Sequence, residues 1–156
     1  MTFPRTSLQL SLAALALFGA AGAAAKVNIP AVMHERHEGM ESIGKAYKTL
    51  RRELDASTPN VAVVRQSATQ ISTLANRSSR WFPAGSGPEA GKTGAKAEIW
   101  RNWADFVRKD RAFQQSAQAL RVAAARGDMT AVKTRATALG GTCKACHDLY
   151  RSEMHH

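Results

Sequence analysis

Apolar residues recur every three or four positions along most of the chain. From Pro30 to Ala56 one face carries Val32, Met40, Ile43, Tyr47, Leu50 and Leu54, with Arg36 on the same stripe. That spacing is the period of a core-facing helix, and Pro30 suits its first turn. Ser57-Thr58-Pro59-Asn60 breaks the pattern and can cap the next helix. This second helix is predicted from Val61 to Ser78, with Val64, Ala68, Ile71 and Ala75 on one face. Between Arg80 and Ala95 stand Pro83, Gly85, Gly87, Pro88, Gly91 and Gly94, a density that no helix survives. A third helix is predicted from Lys96 to Arg126, with Ile99, Trp103, Phe106, Phe113, Ala117, Leu120 and Ala124 inward. Gly127 ends it and Asp128 caps a fourth, from Met129 to about Met154. The inward stripe of that helix is Val132, Ala136, Leu139, Cys143, Cys146 and Tyr150. Gly140 and Gly141 fall inside it, each at a cost of about 1 kcal/mol against Ala. A close approach by a neighbouring group would account for them; a hinge or fraying is the plainer alternative. No strand-like alternation and no repeat occurs. The pattern describes an all-α chain, an antiparallel four-helix bundle with two short links and one long one.

The first 25 residues break this pattern in a different way. Arg5 precedes an unbroken run of Leu, Ala, Phe and Gly from Leu12 to Ala25, too short to span a membrane. Ala23-Ala24-Ala25 supplies a small-residue cleavage pattern. Residues 1–25 therefore read as a signal peptide, leaving residues 26–156 as one domain outside the cytoplasm. The whole chain of 156 residues carries a net charge of +10. That charge suggests nucleic acid, an anionic membrane surface or an acidic protein as partner. Export argues against nucleic acid and leaves an acidic partner or a membrane surface.

The chemistry lies in Cys143-Lys144-Ala145-Cys146-His147, which holds both cysteines of the chain. Two thiols at i and i+3 sit one turn apart on one helix face. They can form thioethers to the two vinyl groups of a porphyrin, and the adjacent imidazole can bind its iron. The reading is one haem c, covalent through Cys143 and Cys146, entering the bundle core with His147 as proximal ligand. A redox dithiol would sit beside a βαβ unit, and none is present. Zinc would need two further ligands from distant histidines. A disulfide between i and i+3 in a helix is geometrically poor.

Further segments support a family resemblance. They are Arg36-His37-Glu38-Gly39-Met40, Trp81-Phe82-Pro83, Gly85-Ser86-Gly87, Lys96 to Trp100, and Leu139-Gly140-Gly141-Thr142 running into the haem motif. With that motif they resemble the class II c-type cytochromes, cytochrome c′ and its low-spin relatives, over nearly the whole chain after residue 25. The resemblance implies roles for single residues. His147 matches the proximal ligand. Arg151 matches a basic residue near the proximal face. Arg36 matches an arginine near a haem propionate, where the plain alternative is a solvated surface cation. His37 departs from the more usual Gln.

Met40 decides between two functions. In the low-spin branch this position ligates iron, giving a His/Met electron carrier; this is the preferred reading here. In the five-coordinate branch it only covers an iron that binds NO or CO; this is the alternative. Thioether sulfur suits either role. His34, His37 and Met33 are minor candidates, and His155-His156 receives no role. The aromatic residues read as packing first. No paired carboxylates and no Ser-His-Asp set is visible, so the expectation is a periplasmic carrier and not an enzyme. The expected partners are an acidic redox protein and a small gas, with a homodimer implied by the resemblance.

Overall fold

The computed structural model describes residues 26–153. The expected signal peptide and the His155-His156 pair lie outside the described residues. The elements are helices α1 (Ile29–Asp55), α2 (Val61–Ala75), α3 (Glu98–Arg101), α4 (Trp103–Arg126) and α5 (Met129–Tyr150), with short 3₁₀ turns at Ser78–Trp81 and Pro88–Ala90.

Each long helix but α4 starts where a side chain can satisfy its free amides. The Asn28 side chain accepts from the Ala31 amide, that of Asn60 from Ala62 and Val63, and that of Asp128 from Ala131. Gly127 takes φ 74° after α4, a left-handed turn open to glycine at little cost. Its amide donates to the Ala124 carbonyl.

The third predicted helix is divided. Asn102 adopts φ −113° and ψ 41°, which separates α3 from α4. The break shifts the helical phase, so Ile99 and Phe106 are buried while Trp103 is 43% exposed. Trp103 is therefore not a core residue, contrary to its place on the stripe. The second helix also stops early, at Ala75, where the chain tightens into the Ser78–Trp81 turn.

Cross-helix hydrogen bonds fix the antiparallel order. Arg65 Nε donates to the Ala124 carbonyl and Ser72 Oγ to Gln118 Oε1, so α2 and α4 run in opposite senses. Tyr150 Oη donates to Asp105 Oδ2 at 2.6 Å, joining the end of α5 to the start of α4. Tyr47 Oη donates to the Ala136 carbonyl at 3.0 Å, joining α1 to α5. The core between them holds Leu50, Val64, Ile71, Ile99, Leu120, Val132 and Leu139, each essentially without solvent contact. Burying such a side chain is worth roughly 1.5–3 kcal/mol.

The two glycines inside α5 have different causes. A Cβ on Gly140 would lie 2.6 Å from Tyr47 Oη, whereas one on Gly141 would meet nothing within 4 Å. Gly140 is thus the place where α1 and α5 approach. Gly140→Ala should displace Tyr47 and lower stability by about 1–3 kcal/mol. Gly141→Ala should hold or raise stability, by up to about 1 kcal/mol. Parallel urea unfolding curves of the two variants check the contrast.

Candidate functional site

Helix α5 carries the haem motif because it is regular to Tyr150. Cys143 and Cys146 fall one turn apart, both half-buried against the core. They are free thiols. Burial raises the pKa of both, that of Cys146 to about 11, so each sulfur keeps its proton. His147 lies further round the helix and is exposed on its outer side. Loss of water on its inner side, then the charge of Arg151, holds its pKa below the usual imidazole value. A neutral imidazole is the form that binds iron. Arg151 caps α5 by donating its amide to the His147 carbonyl at 3.0 Å. It also pairs with Ala95 in a short bridge that anchors this end of the helix to the long loop.

Helix α1 faces this motif in register. Tyr47 meets α5 at Gly140, and the helices run antiparallel. Two turns from that contact along each helix lie Met40 and His147, at the same level of the bundle. Met40 is partly buried and packs against the core. His37 points the other way, towards Glu41, with its side chain 48% exposed. His34 is exposed as well, and Met33 lies beside Gly91.

Arg36 is not a solvated surface cation. It is 5% exposed, and its two terminal nitrogens hold the long loop. Nη1 donates to the Trp81 carbonyl and Ser86 Oγ, and Nη2 to the Ser86 carbonyl and Thr93 Oγ1, at 2.9–3.2 Å. The guanidinium also sits 5.1 Å from the centre of the Phe82 ring. All four hydrogen-bond partners are neutral, so the buried cation finds no counter-charge among them. Arg36→Gln should cost about 3 kcal/mol, because it strips several bonds from a charged donor. Arg36→Lys should restore only part of that, since one ammonium cannot span the fork. Chemical unfolding of both variants tests this.

The loop contributes more to the core than its composition promises. Trp81 is 1% exposed. Its indole lies so close to α1 that a Cβ on Gly39 would collide with it. Trp81 Nε1 donates to Glu35 Oε1, which also accepts from Arg77. Phe82 packs edge-on to Phe106 at 4.7 Å, and Phe106 packs edge-on to Tyr150 at 5.5 Å. This aromatic group reaches from the loop to the end of the haem-motif helix. Neither Trp81 nor Gly39 was singled out for these roles by periodicity, because a loop tryptophan has no helical phase.

The donor set fits a haem. Two protonated thiols on one face, one neutral imidazole, apolar neighbours and a buried cation without counter-charge suit a macrocycle bearing vinyl and carboxylate groups. Among the described residues no three His, Cys, Asp or Glu side chains gather as a metal site.

Comparison with known proteins agrees. A family model described as cytochrome C′ matches residues 31–151. The chain belongs to the cytochrome c′ family. It is 34% identical to cytochrome c′ of Rhodospirillum rubrum over 114 residues, covering 73% of this chain and 72% of that one. It is 36% identical to cytochrome c-556 of Agrobacterium tumefaciens (strain II Chrys) over 120 residues, covering 75% and 94%. A solved cytochrome c′ with ligand-controlled dimer dissociation superposes with a TM-score of 0.76 at 29% identity, covering 83% of this chain and all of that one. The fold is the four-helix bundle of that family. Its cofactor is a covalently attached haem c, and its business is haem-based electron transport.

Proposed function

We propose that this protein is a periplasmic cytochrome c′ whose haem is bound through Cys143 and Cys146 and ligated by His147 on one side only. Met40 covers the other side. What supports the reading is the match of residues 31–151 to the cytochrome c′ family and the cytochrome c′ relatives; the register of α1 on α5 puts Met40 level with His147, where it can cover the haem. Once bound, haem supplies an iron that exchanges single electrons and accepts a small ligand on its free face.

The chain's own groups divide the remaining work. Cys143 and Cys146 would hold the porphyrin against the core. His147, whose pKa is held below the usual imidazole value, would hold the iron through its neutral imidazole. Arg151 keeps positive charge beside that imidazole and discourages its protonation. Arg36 secures the loop, and its charge favours a propionate close by. Met40 presents a thioether with no N–H or O–H donor. An apolar cover without donors suits NO and CO better than O₂, which gains most from a hydrogen bond.

A second reading gives Met40 the sixth coordination position, and its level with His147 favours that reading too. The protein would then be a His/Met electron carrier. Titration of the reduced holoprotein with CO separates the two. Stoichiometric binding supports the open face, and refusal of CO transfers the function to the second reading.

The reading extends to location and partners. The N-terminal pattern supports export, and the charge left once Arg5 is removed, 21 basic against 12 acidic residues for +9, suits an acidic redox protein. The solved relative with ligand-controlled dimer dissociation supports a homodimer here. The role is that of a carrier or gas-binding protein, not an enzyme.

A further inference from the structure

One buried acid takes no part in the haem chemistry. Asp110 of α4 is 8% exposed. Its Oδ1 is hydrogen-bonded to Ser78 Oγ, and its Oδ2 accepts from Gln114 Nε2 at 2.7 Å. Ser78 Oγ in turn donates to the Ala75 carbonyl at 2.8 Å. A serine hydroxyl has one proton. The Ala75 carbonyl can only accept, and as the last carbonyl of α2 it lacks an intrahelical amide partner. If Ser78 gives its proton to Ala75, the Ser78–Asp110 bond needs a proton from Asp110. The chain of bonds then runs from Asp110 to Ser78 to Ala75, with every atom in its normal role.

We propose that Asp110 is a proton-binding site, protonated at neutral pH, whose proton is held more weakly when the haem iron is oxidised. The link to iron rests on the proposed function; the proton on Asp110 does not. Position supports the link. Asp105 stands opposite Tyr150 on antiparallel helices, so Asp110, about a turn and a half further on, stands level with Cys146. The two groups are close enough for the charge of Asp110 to raise the Cys146 thiol. Burial is the largest influence on Asp110 itself and raises its pKa; hydrogen bonds given to its carboxylate by Ser78 or Gln114 would oppose that.

The surroundings do not oppose this. The titratable or charged groups near Asp110 are the Cys146 thiol from α5 and Lys109 and Arg111 on its own helix. Lys109 leans 3.9 Å from Asp105, and the 3₁₀ turn presents neutral Ser78, while Arg77 pairs with Glu35. A cavity of about 240 Å³, lined by Ser79, Trp103, Asp110, Arg111 and Gln114, gives the proton a way to solvent.

The balance is simple. Oxidation removes one electron to the electrode or redox partner and adds one positive charge at iron. That charge favours the carboxylate, and the proton leaves to water. Reduction reverses both. The midpoint potential must therefore fall as pH rises between the two pKa values of Asp110.

Potentiometry of the holoprotein across pH 5–9, for wild type and Asp110→Asn, tests the link. Asn keeps a donor for Ser78 and an acceptor for Gln114, so it imitates the protonated acid. The expected result is a potential that falls with pH in wild type and a fall that shrinks in the variant. An unchanged slope in the variant, or a flat wild type, overturns the link. Thermal melting of the same two proteins tests the proton separately. Burial raises the pKa above its unfolded value, so wild-type stability is full below the unfolded value and declines as pH rises through the folded one. Asp110→Asn should match wild type in acid and melt higher in mild alkali. A variant melting lower at every pH overturns the neutral acid, unless wild-type infrared spectra carry a protonated-carboxyl band that changes on oxidation, which upholds it. A chain that purifies without attached haem would instead defeat the proposed function, and the melting comparison would still decide the proton.

Discussion

Replacing both Cys143 and Cys146 by Ala is expected to abolish covalent haem attachment, leaving a mature chain whose intact mass lacks one haem. These are the only cysteines in the chain, so no other side chain can form the thioether links. Single variants should retain one link and less haem. The folding consequence comes from where the thiols lie. Both are half-buried against the core, so Ala in their place also removes apolar contacts that the thiols make within the bundle. Mass spectrometry and haem staining after denaturing electrophoresis read the attachment. Circular dichroism reads the helices, which α1, α2 and α4 should largely preserve through their own packing.

The second large effect concerns Met40. Met40→Ala should speed CO binding to the reduced protein by about tenfold, equivalent to removing roughly 1.4 kcal/mol of barrier from the distal side. The physical reason is steric. A partly buried thioether must move before a ligand can reach iron, and a methyl group need not. The affinity should rise as well, because no sulfur competes for the space. Stopped-flow mixing with CO measures both. Met40→Leu should stay close to wild type, since it keeps the volume and the apolar surface. That last comparison matters because it separates covering from ligation: leucine can cover but cannot coordinate.

Periodicity decided how much of the fold was legible in the sequence. The four long helices were legible because amphipathic stripes repeat over many turns, and their caps stand at Asn60, Gly127 and Asp128. The haem motif was legible because its spacing is its chemistry. The break at Asn102 was not, since Asn is an ordinary helix residue and only its backbone angles announce the change of phase. Trp103 was misplaced for that reason. Gly140 could be recognised as a cost needing a cause, but Tyr47 as the cause required the fold. Arg36 on an apolar stripe was a visible anomaly; its four bonds to a loop some 45–57 residues away were not. Asp110 and Ser78 lie on different elements, with no sequence signal that they meet.

The same separation explains why the site divides into a legible and an illegible part. Cys143, Cys146, His147 and Arg151 come from one helix terminus, where spacing alone sets their relation. Met40 and Arg36 come from another helix, and their relation to the motif depends on the register of α1 against α5. That register is set by Tyr47 against Gly140, a contact between two residues that neither local propensity nor composition connects.

Optical and electron-paramagnetic-resonance spectra of the oxidised wild-type holoprotein are the sharpest test of a one-sided haem. High-spin ferric iron is expected, with His147 as its one protein ligand and no sulfur-to-iron charge-transfer band in the far red. Low-spin iron with that band, lost in Met40→Ala, would contradict the open face and make the protein a His/Met electron carrier.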